Sequence, residues 1–206
     1  FLDRKLFGPG KVDGVIGEFT YKAVVNYNYA AGNSDYYGWK PVLRDAEQHL
    51  PVIYAAFKIT VDLLAHVNPK LPDDPAEQQA FEYMAYRSLQ ELAAERYHTD
   101  ETFLARLNPG SDLNALEPGD VLTVPNVAPF LIEKVTRHKG YKEDPVLSGH
   151  TVVVDTTERM AAVYSHDESM LAAFPITPGR PQFIPVGDWT VVSMVTTPNF
   201  RYDKKF

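Results

Sequence analysis

The sequence predicts an α+β protein built from several modules. In order they are a helical N-terminal piece, a strand–helix–helix–strand module carrying an insertion, and an all-β C-terminal piece. Three observations predict this. Helical periodicity is confined to the first two thirds of the chain. Two β-rich runs bounded by prolines, 53–60 and 121–124, bracket two short amphipathic helices. Beyond residue 150, apolar runs alternate with short polar turns.

The N-terminal piece, FLDRKLFGPGKVDGVIGEFTYKAVVNYN, is punctuated by GPG, VDG and Gly17. Residues before Gly8 read as the last turns of a helix. Thr20 is the expected cap of a second helix, with Ala23, Val24 and Tyr27 on one face. A helical connector follows. Residues 42–50 place Val42, Leu43, Ala46 and Leu50 together and end before Pro51.

In the central module, IYAAFKIT is the first strand, with Ile53, Ala55, Phe57 and Ile59 facing one way. Asp74 and Pro75 form an N-cap and N1 pair. Ser88 and Glu91 form an S-x-x-E capping box before a helix that aligns Leu89, Leu92, Ala93 and Tyr97. Thr99 or Asp100 caps a second short helix that buries Phe103, Leu104 and Leu107. The turns NPG and PGD then lead into the strand LTVP. Two short helices over a two-stranded antiparallel sheet close one core, so strand 53–60 is expected to pair with 121–125.

In the C-terminal piece, TVVVD and MAAVYS flank the turn TTER. HDES makes the next turn, and IPVGDWTVVSMVTTPNF reads as a further strand. The expected division is 1–31, a connector at 32–51, 52–127 with an insertion at 61–87, and 128–206.

Composition limits the function. Of 206 residues, 45% are hydrophobic and 23% charged, which suits a folded chain. Net charge is −7, and residues 76–130 hold nine acidic residues against three basic ones. No basic stripe suits a phosphate backbone, so nucleic acid is not an expected partner. No run of 18 apolar residues is present, so no membrane-spanning segment is expected. There is no cysteine. The six histidines, His49, His66, His98, His138, His150 and His166, are scattered without metal-ligand spacing. His98 reads as a cap at a helix C-terminus, and no metal or cofactor is expected. Arg180 and Gln182 read as plain loop residues, with lining of a substrate cleft as the alternative.

Three resemblances sharpen the picture. KVDGVIGEFTYKAVVNYN is similar to the second half of peptidoglycan-binding domain 1, through Val12, Asp13, Gly14, Gly17, Thr20, Ala23 and Val24. The alternative is a plain helical hairpin. ELAAERYHTDETFLARLNPG and LEPGDVLTVPN resemble the second half of the LysM module. A standard LysM has a Gly-Asp-Ser/Thr turn where this chain carries its insertion. Residues 130–206 resemble the start of an L,D-transpeptidase catalytic domain, through Val152 to Asp155, Ala162 to Tyr164, Ala173 to Gly179, Ile184 to Trp189 and PNFRYDKKF.

The resemblances imply peptidoglycan glycan strands and peptide stems as partners. They also imply a secreted protein of the periplasm or cell envelope. The chain starts at Phe1 and not Met, so what came before is expected to have been removed by processing or by the choice of the expressed segment. The LysM likeness implies a groove between the loop entering the first helix, Tyr86, Arg87 and Ser88, and the loop leaving the second, Leu107, Asn108, Pro109 and Gly110. Asn108 has an amide suited to N-acetyl groups, and Tyr86 a ring suited to a sugar face. A purely structural LysM is the alternative. The transpeptidase family uses a Cys nucleophile in an H…S-x-G-C motif, a thiolate that attacks a stem amide. This chain has no such residue, and no catalytic residue is assigned to it. Truncation of a longer enzyme and a natural non-catalytic relative are the two explanations.

Overall fold

The computed structural model describes residues 1–135, 144–192, 194 and 195. PNFRYDKKF, His138 and Ser193 therefore lie outside the described residues. In chain order the elements are α1 (Glu18–Ala30), α2 (Trp39–His49), β1 (Tyr54–Lys58), α3 (Pro75–Gln78), α4 (Leu89–Arg96), α5 (Glu101–Leu107), β2 (Val121–Pro125), β3 (Thr151–Asp155), β4 (Met160–Tyr164) and β5 (Met170–Pro175). The class is α+β, and among the described residues the strands of the two sheets pair antiparallel. The described residues form two compact units, 1–53 with 144–191, and 54–135 with 192, 194 and 195.

The first unit joins segments far apart in the sequence. β3, β4 and β5 form a meander. Phe7 bridges to Ala173 in parallel, with the Gly8 N–H on the Ala173 carbonyl at 2.8 Å and the Ala173 N–H on the Leu6 carbonyl at 2.9 Å. Ala23 and Val24 of α1 are buried with Leu2, Phe7, Val42, Met160 and Ala173. At the rim, Lys22 bridges Glu18 at 2.8 Å and Glu158 at 2.9 Å, while Arg159 pairs with Glu18. Both cations lie over the Phe19 ring. Asn28 is wholly buried, and its amide donates to the carbonyls of Tyr36 and Gly38 at 2.9 and 2.8 Å, which fixes the turn between α1 and α2.

Several expectations for this unit are corrected. Residues before Gly8 form a 3-10 turn at Asp3–Lys5, ended by Leu6 in the left-handed region, because Phe7 is drawn to the sheet edge. Gly17, not Thr20, precedes α1; the Thr20 hydroxyl sits inside the first turn and accepts the Gly17 N–H at 3.3 Å. α2 starts at Trp39, its first turn tolerating Pro41, which needs no donor there. Leu43 stays exposed. No strand forms over 184–192: Val186, Trp189, Val191 and Val192 are exposed, and none of them joins the sheet.

In the second unit, β1 and β2 pair antiparallel from Tyr54↔Pro125 to Lys58↔Val121, as expected. Ile53 is the exception, exposed and outside β1. Glu117-Pro118-Gly119-Asp120 turns the chain into β2, with Gly119 at φ 111°, a conformation that glycine adopts without steric cost. Phe57 and Ile59 pack with Leu92, Ala93, Leu104 and Leu122 into one core. α4 ends in a Schellman arrangement. The Thr99 N–H reaches the Ala94 carbonyl, the His98 N–H reaches the Glu95 carbonyl, and His98 itself sits at φ 53°. The cap is thus made by backbone, with His98 as the left-handed residue. Asp100 then caps α5 through the Phe103 N–H at 2.7 Å.

Candidate functional site

The register of β1 and β2 fixes where the two connections that carry the predicted loops leave the sheet and rejoin it. Lys58, the last residue of β1, faces Val121, the first of β2. Pairing continues one step further, with the Ile59 N–H on the Asp120 carbonyl at 2.8 Å and the Gly119 N–H on the Ile59 carbonyl at 2.9 Å. The chain therefore leaves β1 toward α4, and returns from α5 into β2, at the same end of the sheet. Residues Tyr86 to Ser88 and Leu107 to Gly110 flank the helix pair on these two connections.

On the return connection, Asn108 is buried and its amide is spent inside the protein. Nδ2 donates to the carbonyls of Leu104 and Thr123, both at 2.9 Å, and Oδ1 accepts the Thr123 N–H at 2.7 Å. The amide thus satisfies both backbone groups of Thr123 that point away from β1, as a neighbouring strand would. This corrects the expectation that Asn108 offers its amide to an N-acetyl group: the side chain positions the loop instead. The loop is a turn closed by the Ser111 N–H on the Asn108 carbonyl at 3.1 Å. Pro109 and Gly110 are exposed at its tip, and Leu107 is half-buried. A Cβ built on Gly110 would meet nothing within 4 Å, so the backbone there is open to approach.

On the entry connection, Ser88 caps α4 by accepting the Glu91 N–H at 3.0 Å. The Glu91 carboxylate returns to the Arg87 N–H rather than to that of Ser88, so the expected capping box is shifted by one residue. Arg87 donates to the carbonyls of Leu71 and Pro72 at 2.7 and 3.2 Å and pairs with Asp73 at 3.1 Å. Tyr86 is half-buried against the core and its hydroxyl donates to Glu95 at 3.1 Å. Burial, and then the Glu95 charge, push the Tyr86 phenol far above its ordinary pKa, so it remains a neutral donor.

The insertion also enters the core. Leu63 and Leu71 are buried, and Val67 packs against the cluster. Its ends close on each other, with the Asn68 N–H on the Tyr86 carbonyl at 2.7 Å and the Tyr86 N–H on the His66 carbonyl at 3.0 Å. Sequence reasoning placed this segment only as a departure from a known pattern. Its one legible sign was Asp74-Pro75, which caps α3 as expected, the Asp74 carboxylate accepting the Ala76 N–H at 2.8 Å.

A helix pair closed over a two-stranded sheet, with PGD leading into the second strand, is the geometry on which the assignment turns. Residues 94–125 match the LysM domain. The match starts inside α4 and ends with β2, and the insertion precedes it. No curated protein matches the chain. A LysM domain is a peptidoglycan-binding module, which supports binding to cell-wall glycan and a cell-wall-associated, extracellular setting. Among the described residues, no group of His, Asp and Glu is placed to hold a metal ion. No helix among them is long and apolar enough to cross a membrane.

Proposed function

We propose that the chain docks on peptidoglycan glycan strands through its LysM module, at the end of the sheet where both connections emerge. One observation carries this reading: residues 94–125, which match the LysM domain, include the return loop with its exposed Pro109–Gly110 turn and end with β2, which pairs with β1. The exposed Pro109–Gly110 turn offers backbone to a sugar, and Asn108 holds that turn in place. On this reading Tyr86, Arg87 and Ser88 supply the other side of the docking surface, and half-buried Leu107 leads into the turn. Gly110→Trp tests it, because the structure has room for the new side chain but a bound glycan does not. Co-sedimentation with purified peptidoglycan should fall at least about tenfold, a loss of the size expected at the centre of a binding surface. Undiminished co-sedimentation of a folded Gly110→Trp chain would exclude this surface.

A second reading concerns the C-terminal sheet. The segments that resemble an L,D-transpeptidase fall on β3, β4 and β5, at Val152 to Asp155, Ala162 to Tyr164 and from Ala173 onward. The segment Ile184 to Trp189 departs from the strand expected of it. With no cysteine in the chain, the thiolate that such acyl transfer needs must come from elsewhere. The proposed role of these 206 residues is therefore wall docking beside a catalytic segment, or as a scaffold without one. Sequencing the natural coding region past Phe206 separates the two: an H…S-x-G-C stretch supports the enzyme, and an immediate stop codon the scaffold.

A further inference from the structure

In the first unit, α1 and the turn that follows it build an aromatic surface. Residues 35–38 form a turn closed by the Gly38 N–H on the Asp35 carbonyl at 3.3 Å, with Tyr36 and Tyr37 at its tip. The connection meets α1 twice. The Tyr36 ring packs edge-on against Tyr29, centroids 5.7 Å apart, and the Trp39 ring against Tyr21 at 5.5 Å. Tyr21, Tyr29, Tyr36 and Tyr37 are 54%, 49%, 43% and 80% exposed, while Trp39 is half-buried against the core. The buried Asn28 amide donates to the Tyr36 and Gly38 carbonyls and accepts from the Asn33 side chain at 3.0 Å, so the rings stand on a fixed backbone. The exposed Asp35 carboxylate lies over Gly38, where an added Cβ would meet it. Exposed apolar surface gathered in one place marks an interaction site.

We infer that this surface is a separate glycan contact, with sugar rings stacking on Tyr29, Tyr36 and Tyr37 and sugar hydroxyls donating to the Asp35 carboxylate. The chemistry of the patch selects the occupant. Taking ~200 Å² for a whole aromatic side chain, the four tyrosines leave about 450 Å² open. A stable protein partner covers about 800 Å² on each side, so the patch suits a narrower ligand. The rings bring no aliphatic side chain with them, and the charge beside them is a carboxylate, whereas a lipid surface favours aliphatic and basic side chains. A pyranose has C–H groups on its faces and hydroxyls around its rim. It therefore asks for flat apolar rings with an acceptor next to them, and both are here. Tyr21 and Tyr29 are about 12 Å apart along the axis of α1, a span that suits a chain of sugars rather than a single one. Tyrosine has few rotatable bonds, and the Asn28 clamp holds the backbone, so ordering the surface against a sugar costs little entropy. That the glycan is a cell-wall strand rests on the docking reading above; the surface itself rests on its own rings.

The test follows backbone amide shifts of the full chain during titration with N-acetylglucosamine hexamer, in the wild type and in Tyr37→Ala. Tyr37 is the most exposed of these rings, so the variant keeps the fold. The amides of residues 36–39 should shift in the wild type. Tyr37→Ala should weaken that response about tenfold and leave the midpoint at Gly110 and Ser111 unchanged. Shifts at Gly110 and Ser111 with none at 36–39 would overturn the aromatic contact and leave LysM docking intact. Shifts at 36–39 with none at Gly110 and Ser111 would support the aromatic contact and remove the LysM surface. Silence at both places would remove both readings. An undiminished response of Tyr37→Ala at 36–39 would also overturn the inference. So would shifts at 36–39 that follow phosphatidylcholine–phosphatidylglycerol vesicles or protein concentration in place of the hexamer, since these assign the surface to a membrane or to a second copy.

Discussion

Replacing Asn108 by Ala removes three hydrogen bonds at once. The Thr123 N–H, the Thr123 carbonyl and the Leu104 carbonyl each lose their amide partner, at 2.7, 2.9 and 2.9 Å. Stranding one buried polar group costs about 1–3 kcal/mol. Three stranded groups set an upper bound of about 9 kcal/mol, and water entering the vacated space near an 8% exposed site recovers much of it. The expected loss is about 2–4 kcal/mol, a large share of a domain stability of about 5–15 kcal/mol. Amide hydrogen exchange in β2 and α4 reads the second unit alone. Protection there should fall about 30- to 700-fold, the same free energy on a logarithmic scale. Asn108→Asp should be no better, because a carboxylate keeps the acceptor but faces two carbonyls without a proton to give. A change below about 0.5 kcal/mol, the range of a neutral surface substitution, would refute the claim that Asn108 is an internal clamp and return its amide to the candidate ligands.

Glu133→Gln should destabilise the second unit by about 1.5–3 kcal/mol in urea unfolding. Arg96, 7% exposed, lies over the Phe57 ring, and the charge at 2.6 Å would be withdrawn from it. Adding Arg96→Met to that variant should recover part of the loss. Tyr27 donates to Asp45 at 2.9 Å, and burial followed by that carboxylate pushes its phenol up to about 12. Because the folded value lies above the ordinary 10, its stabilisation is complete below pH 10 and lost as pH rises toward 12. Thermal melts of the wild type should fall more steeply across that window than those of Tyr27→Phe. Gly38→Ala would set a Cβ against the carboxylate of Asp35, an exposed side chain that can rotate away, so its melting temperature should stay close to that of the wild type. Gly110→Ala, with open space, should stay within about 0.5 kcal/mol of wild type.

The second unit was legible where its signals are local. Ser88 and Asp100 cap helices within three residues of themselves, and Pro118-Gly119 makes its own turn. The β1–β2 pairing followed because only those two runs close the helices over a sheet. The first unit was not legible as a unit. It is held by Lys22 and Arg159 reaching partners 136 and 141 residues away, by the Phe7–Ala173 bridge, and by a core that mixes both ends of the chain. None of these leaves a periodic trace. Of the candidate site, the turn at Asn108 to Ser111 was readable and the role of the Asn108 amide was not. An amide shows in a sequence, but its burial does not. Over the described part of the expected fourth strand, 184–192, alternation did not become a strand for a related reason: alternation reports a preference, and a strand also needs a partner.

The most direct test of glycan docking is a titration of the full chain with N-acetylglucosamine trimer, followed by backbone amide shifts. The account predicts perturbations at Gly110 and Ser111 and across Tyr86 to Leu89, on the two connections at one end of the β1–β2 sheet, and none in β3 to β5. Unchanged Gly110 and Ser111 amides at millimolar trimer would contradict it.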